Sequence, residues 1–508
     1  MKASGRNEST NAFQFMKSLV ILALFTCHAI ALAEESVSWE NPLREKLVKM
    51  AADLTANLKP WDVPNCRFEV EKHSAVADGV TLNTTAIQKT IDECSNAGGG
   101  VVLFSKGDYV TGTLVLKSGV MLEISEKSRI LGSTNLADYP DQIASRKTVM
   151  DTHMKVKQSL IFAEGVERVG IRGPGTIDFR GTKSNFPGKQ TIAETPGRPF
   201  GMRFIDSKKI VVENITLTNS ACWMQNYLNC EDLIFQKMMV INHANYNNDG
   251  IDIDGCRRVI LRNCMINSED DAFCLKGASL RPTEDLLVED STFYSTCNAF
   301  KIGTDTQGDF RRIFARNLKL GGIAKDMKSS AGHQASTGIT LATVDGGTVE
   351  DILISDTSIE RARCPVFLRV GSRGRLMPGM PAAPVGSLRR IVIENISGSG
   401  NFRQGSFISG IKDGVIEDVV IRNYQVGMEG GGTTEMMQAP VAESEKGYPD
   451  AHQFSVKGLP AMGFFIRHAR RVDFHDVSVT PAASDARPAF VLGAGAEDVR
   501  LDGEAMAN

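Results

Sequence analysis

One phrase recurs down this chain and leaves few folds open to it: two polar residues, an aliphatic pair, a polar residue, then Asn or Asp. It reads KKIVVEN at Lys208, EDLIFQK at Glu231, RRVILRN at Arg257, EDLLVED at Glu284, RRIFARN at Arg311, EDILISD at Glu350, RRIVIEN at Arg389, IEDVVIRN at Ile416, RRVDFHD at Arg470 and EDVRLDG at Glu497. The anchors Ile210, Leu233, Val259, Leu286 and Ile313 stand 23, 26, 27 and 27 residues apart. A period of this length signals a solenoid. The chain has neither a regular leucine ladder nor a 3.6-residue period in these segments, which excludes leucine-rich and helical repeats. Short alternating strands with Asn, Asp and Gly corners predict an all-β fold, a parallel β-helix whose coils stack about 4.8 Å apart. In such a stack Asn214, Asn263, Asn317 and Asn395 are corner residues that tolerate unusual backbone angles.

A chain of 508 residues is long for one compact core but not for an elongated stack. The net charge of -3 and the absence of a Lys/Arg run predict no nucleic-acid partner. Lys17 precedes the apolar stretch SLVILALFTCHAIALA, which ends in the small-residue site Ala31-Leu32-Ala33. This reads as a cleaved signal peptide over residues 1–33, with Met16 an alternative start, and it predicts export to a periplasmic or extracellular space. No membrane span is then expected to remain. Residues 34–62 form an N-terminal helical segment, and residues 63–505 the β-helix. A second short helix in NTTAIQKTIDECSNAGGG, with Thr85 and Gln88 as a capping box, suits a plug for the open end of the stack. Nine cysteines remain after the signal, without a CxxC pair. Cys222, Cys230, Cys256, Cys264, Cys274 and Cys297, in the strand-rich middle, read as buried apolar residues, with one disulfide open, and no cofactor or metal is expected.

Chemistry concentrates between Asn247 and Lys276. Asp249 precedes the pair Asp270/Asp271 by 21 and 22 residues, about one coil, so stacking brings three carboxylates together. Like charges that close repel, and a protein seldom keeps them without a ligand or a proton-transfer task. Phe273 and Leu275 alternate inward, which turns Lys276 to the outer face, and Lys301 follows 25 residues later as its expected stacked neighbour. The two form a cationic strip suited to an anionic substrate. Trp223, Asn226 and Tyr227 lie a coil before Asp249 and suggest a platform for a sugar ring. The long connections 138–198 and 427–459 suggest cleft walls, and walls that close one end would favour exo attack.

Many segments of the chain, in the same order, resemble glycoside hydrolase family 28, the polygalacturonases. They include NSACWMQNYLNCEDL, NNDGIDIDGC, EDDAFCLKGA, CNAFKIGTDTQGDFRRI, FLRVGSRGR, EKGYPD and LPAMGFFIRH. The resemblance implies a right-handed, single-stranded, pectin-lyase-like β-helix. It also implies hydrolysis of pectic or related acidic polysaccharide by the inverting course of that family, with Asp270 as general acid and Asp249 and Asp271 activating water. One carboxyl must stay protonated for the leaving oxygen while another acts on water, and crowding supplies that split.

Two departures stand out. Where the family carries Gly-His-Gly this chain has Cys297-Asn298-Ala299, and where it carries Arg-Ile-Lys this chain reads Gly338-Ile339-Thr340-Leu341. Substrate contacts are therefore expected from Lys276, Asn298, Lys301, Trp223, Asn226, Arg369 and Arg373, with His243 or His333 in the place of the missing histidine. The chain is expected to act on its polysaccharide or oligosaccharide as a monomer. Two rivals share the architecture: a pectate or pectin lyase, and a non-catalytic carbohydrate-binding β-helix.

Overall fold

The computed structural model describes residues 38–148, 156–189, 197–323, 333–376, 379–454 and 458–507. The signal peptide expected over 1–33 lies outside the described residues. Two compact units divide the chain, Met1–Glu45 and Lys46–Asn508. The described part of the first holds the start of the helix Glu40–Asn57; the second holds the rest of that helix and the strands.

The second unit is a single-stranded parallel β-helix. One of its sheets stacks twelve strands in the order β1 (Leu114–Val115), β2 (Ser159–Glu164), β3 (Phe200–Ile205), β4 (Gln225–Leu228), β5 (Ile251–Asp254), β6 (Phe273–Lys276), β7 (Asn298–Ile302), β8 (Ala335–Thr343), β9 (Ala362–Val370), β10 (Ser406–Ser409), β11 (Phe464–Arg467) and β12 (Phe490–Leu492). Each contributes one rung. The recurring phrases lie in the other, 22-stranded sheet. There the anchors form one continuous interior row: Val169, Ile210, Leu233, Val259, Leu286, Ile313, Ile352, Ile391, Val419, Val472 and Val499 face one another rung by rung. None is more than 2% exposed, so each contributes roughly the 1.5–3 kcal/mol of a fully buried aliphatic side chain.

The charged residues before each anchor have a structural reason. The residue directly preceding it adopts a left-handed backbone on every one of these rungs, from Arg168, Lys209 and Asp232 to Arg471 and Asp498. From Asp232 onward the sign alternates coil by coil. Arg258, Arg312, Arg390 and Arg471 each place Nε 2.6 Å from the carboxylate of Asp232, Asp285, Asp351 and Asp418 respectively. Like charges on adjacent rungs would repel, which accounts for the alternation of ED and RR coils from Asp232 onward. Asn214, Asn263, Asn317 and Asn395 have φ of +53°, +53°, +52° and +53°, the left-handed corner that Asn tolerates better than most residues.

Three expectations need correction. The helix Thr84–Asn96 has no side-chain cap at its N-terminus. Gln88 instead clasps the backbone of the edge strand β1, accepting from Val115 N at 2.8 Å and donating to Val115 O at 3.0 Å, which covers an otherwise unpaired edge. The stretch 138–198 is not one loop, because it contains β2 and the strands Glu167–Arg172 and Thr176–Asp178. The nine cysteines from Cys66 to Cys364 are free thiols, so no disulfide forms among them.

Candidate functional site

The outward side chains of β3 to β9 define the site. Register aligns Arg203, Asn226, Asp252, Cys274, Lys301, Thr340 and Phe367 in one outer row. Asp249 and Asp271 lie at the start of their rungs, linked by Gly250 N donating to Asp271 O at 2.8 Å. Beneath them, Phe273 stacks on Phe293 and Phe300 at centroid distances of 5.3 and 5.1 Å. This packed floor fixes the strands that bear the carboxylates.

Asp249, Asp270 and Asp271 come together, as the spacing predicts. Asp249 and Asp271 are 3% and 4% exposed, whereas Asp270 is half-buried. Asp271 accepts from Asn298 Nδ2 at 2.6 Å and lies 2.8 Å from Lys301 Nζ. Burial pushes this carboxyl up, but Lys301 and Lys276 outweigh it and hold Asp271 below the usual range. Asp270 goes the other way. Burial and the charge of Asp271 raise it to about 6. Two adjacent carboxyls are thus driven apart, one kept anionic and the other inclined to hold its proton. Burial and the neighbouring acids Asp252 and Asp270 also raise Asp249.

The lysines are outward, yet both are buried, at 4% and 2% exposed. They are not stacked neighbours. Lys301 pairs with Cys274 and Lys276 with Asp254, because the coil between them holds 27 residues from Phe273 to Phe300 rather than 25. A two-residue offset keeps the outer face but slides one lysine along the strand by roughly 7 Å. Lys276 lies 3.2 Å from Asp252 Oδ1, 3.9 Å from Asp249 Oδ2 and 4.5 Å from the centre of the Trp223 ring. Trp223 therefore presents a ring to a cation rather than a bare platform. Asn226 sits beside Asp252 in the outer row. Tyr227 faces inward against Phe204, with ring centres 5.2 Å apart, and belongs to the core.

The two arginines serve other partners. Arg369 is 1% exposed and directs its guanidinium to Ser409, Gly410 O, Glu443 O and Ser444 O. It holds backbone in place and is not brought to the carboxylates. Arg373 grips Asp345 at 2.5 and 3.0 Å and Thr304 O at 2.6 Å, and its Nη1 is buried without a partner. His243 bonds Glu269, the neighbour of Asp270, at 3.0 Å and Asn267 at 2.8 Å. Where the family histidine would stand, Cys297 brings its sulfur within 4.8 Å of oxygens of Asp270 and Asp271. A cation could touch all three atoms, but the positive charge at this spot is supplied by Lys301. Asn298 in turn accepts from Thr337 Oγ1 at 2.6 Å and Thr340 Oγ1 at 3.3 Å, so the Gly-Ile-Thr-Leu stretch orients Asn298.

Sequence reasoning missed Asp252, Asp254 and Asp450. Asp252 and Asp254 are raised to about 7, by burial above all. Their signal was present in Ile251-Asp252-Ile253-Asp254, where inward isoleucines dictate outward aspartates. Asp450 lies 3.7 Å from Lys301 Nζ and arrives from a distant segment. A cavity of about 590 Å³ beside Trp61, Val211 and Ile234 lies on the other sheet, away from this chemistry.

The profile of Glycosyl hydrolases family 28 matches residues 94–295, and the fold is a right-handed parallel β-helix. A probable polygalacturonase of Vitis vinifera is 28% identical over 316 residues, which cover 59% of this chain and 62% of that protein. An exo-poly-alpha-D-galacturonosidase of Dickeya chrysanthemi is 34% identical over 133 residues, 25% of this chain and 22% of that protein. The matches thus span less than two thirds of these relatives. In fold, the chain resembles the exopolygalacturonase of Thermotoga maritima, with a TM-score of 0.66 at 18% identity over 85% of this chain and 96% of that one.

Proposed function

We propose that this chain hydrolyses glycosidic bonds in pectic or related acidic polysaccharide. The observation that carries the reading is the divergence of two neighbouring carboxyls, Asp271 held anionic by Lys301 and Asp270 raised to about 6. Asp270 donates its proton to the leaving oxygen. Asp249 and Asp271 orient and deprotonate the attacking water, and the sugar inverts at the cleaved carbon. Lys276, Lys301, Asn298, Asn226 and Trp223 line the substrate path, and Arg373 offers Nη1. The connection 429–454 is read as a wall of the cleft, and a wall that closes one end supports exo attack. An extracellular substrate of this kind, together with the apolar leader, supports export.

The test is a reducing-end assay over polygalacturonate, rhamnogalacturonan and neutral glycans, run with wild type and Asp270→Asn. The expected outcome is activity on an acidic polymer that falls on the order of a hundredfold or more in the variant. An unchanged rate removes Asp270 from the mechanism. Ultraviolet absorbance of an unsaturated product would replace hydrolysis by elimination, and nothing in the site favours that course.

A further inference from the structure

Asp450 reaches the cluster from a segment that contributes no strand to the active sheet. Its Oδ1 lies 3.7 Å from Lys301 Nζ, the same ammonium that lies 2.8 Å from Asp271 Oδ2. That oxygen is buried and has no hydrogen-bond partner among the described residues. The placement is held from both ends. Arg467 donates to Val441 O and Ala442 O at 2.9 and 3.0 Å, and Arg369 to Glu443 O and Ser444 O at 2.9 and 3.1 Å. Two arginines thus fix four successive carbonyls. Beyond them, the Tyr448 ring centre stands 5.9 Å from Lys301 Nζ and 5.7 Å from the Arg373 guanidinium, and Gln404 Nε2 holds Ala451 O at 2.7 Å.

We propose that Asp450 is a positioning residue for the hydrolysis: it shares Lys301 with Asp271 and so sets how much of that cation's field reaches the Asp270/Asp271 pair. This rests on the catalytic reading above. The charged and titratable groups facing Asp270 are Asp271, Asp249, Cys297, Lys301 and Asp450, with Glu269 and His243 on its flank. Those facing Lys301 are Asp271, Tyr448, Asp450 and Cys297. Lys276 engages Asp252 and Asp249 instead. Removing the Asp450 charge leaves Lys301 less compensated, which favours the anion of Asp270. The acid then loses its proton at lower pH.

The test compares wild type, Asp450→Asn and Asp450→Glu. In Asp450→Asn the alkaline limb of the pH–rate profile should move down by roughly one pH unit, the size of one charge acting across several ångströms of protein. The rate constant should fall about tenfold with KM little changed, as when an interaction acts mainly on the transition state. Asp450→Glu, which keeps the charge, should return the limb toward wild type. An unmoved limb in a variant that melts like wild type overturns the proposal, as does a limb that moves equally in Asp450→Glu. A second measurement needs no turnover. In protein labelled with 13C at aspartate carboxyls, the Asp270 resonance, assigned by its loss in Asp270→Asn, should titrate at lower pH in Asp450→Asn than in wild type. An Asp270 titration that is the same in both overturns the proposal even if the chain proves to have no hydrolytic activity.

Discussion

Lys301 holds Asp271 in a buried ion pair, with Nζ 2.8 Å from Oδ2 and side-chain exposures of 2% and 5%. Taking one member from such a pair leaves an uncompensated charge, which destabilises by about 3–5 kcal/mol. Lys301→Met should therefore lower stability by about that amount at pH 7, measured by chemical denaturation. At pH 4 the loss should shrink, because Asp271, no longer held low by the ammonium, can take up a proton. Activity should fall at every pH. A full stability loss at both pH values would mean that packing of the lysine stem, not its charge, is what the site needs.

The raised acids set a second pH dependence. Asp270 titrates at about 6, and Asp252 and Asp254 at about 7, chiefly through burial. A carboxyl raised in the folded state binds its proton more tightly there than when unfolded, so it favours folding at low pH and ceases to do so as pH rises through the folded value. Melting temperature should thus decline from pH 5 to pH 8. Asp254→Asn, which keeps an acceptor for Ser279 N at 3.1 Å, should flatten this decline, removing on the order of 2–4 kcal/mol of the pH-dependent loss of folding free energy. A decline of the same depth in the variant would assign it to other groups. Activity should also fall above about pH 6 as Asp270 ionises.

The stack and the three matched aspartates were legible because one coil length converts sequence spacing directly into spatial contact. Ile210, Leu233, Val259, Leu286 and Ile313 occupy a single row for that reason. The offset of Lys276 from Lys301 was not legible, since a two-residue change in coil length preserves the face and alters only position along the strand. Arg369 looked like a substrate contact because it shares the outer face of β9, but the carbonyls it holds belong to a segment about 75 residues later. Asp450 is tertiary in the same way: no local pattern around Tyr448-Pro449-Asp450 announces that it meets Lys301.

Cys297 lies in the site but should be a poor nucleophile. Burial first, then the charges of Asp270 and Asp271, raise its thiol well above the ordinary value, and only the thiolate attacks. Iodoacetamide at neutral pH should label exposed Cys66 well before Cys297, as followed by peptide mass spectrometry. Substrate-free Lys301→Met should make Cys297 slower still, because a cation that favours the thiolate is gone. Fast labelling of Cys297 would mean that the acids around it are protonated at neutral pH.

Arg369 distinguishes a backbone clamp from a substrate grip. Its guanidinium spans Ser409, Gly410 O, Glu443 O and Ser444 O, and packs 4.6 Å over Phe454. Lysine has no planar fork to reach carbonyls on two sides. Each donor left unmatched against a buried carbonyl costs about 1–3 kcal/mol. Arg369→Lys should therefore lower the melting temperature and make the backbone between Val441 and Asp450 more open to proteolysis. It should also reduce the rate constant, because Asp450 is no longer held against Lys301. A substrate grip would behave differently: the variant would raise KM for acidic polymers selectively and leave both protease resistance and melting unchanged. That pattern would return Arg369 to the substrate path and detach it from the wall.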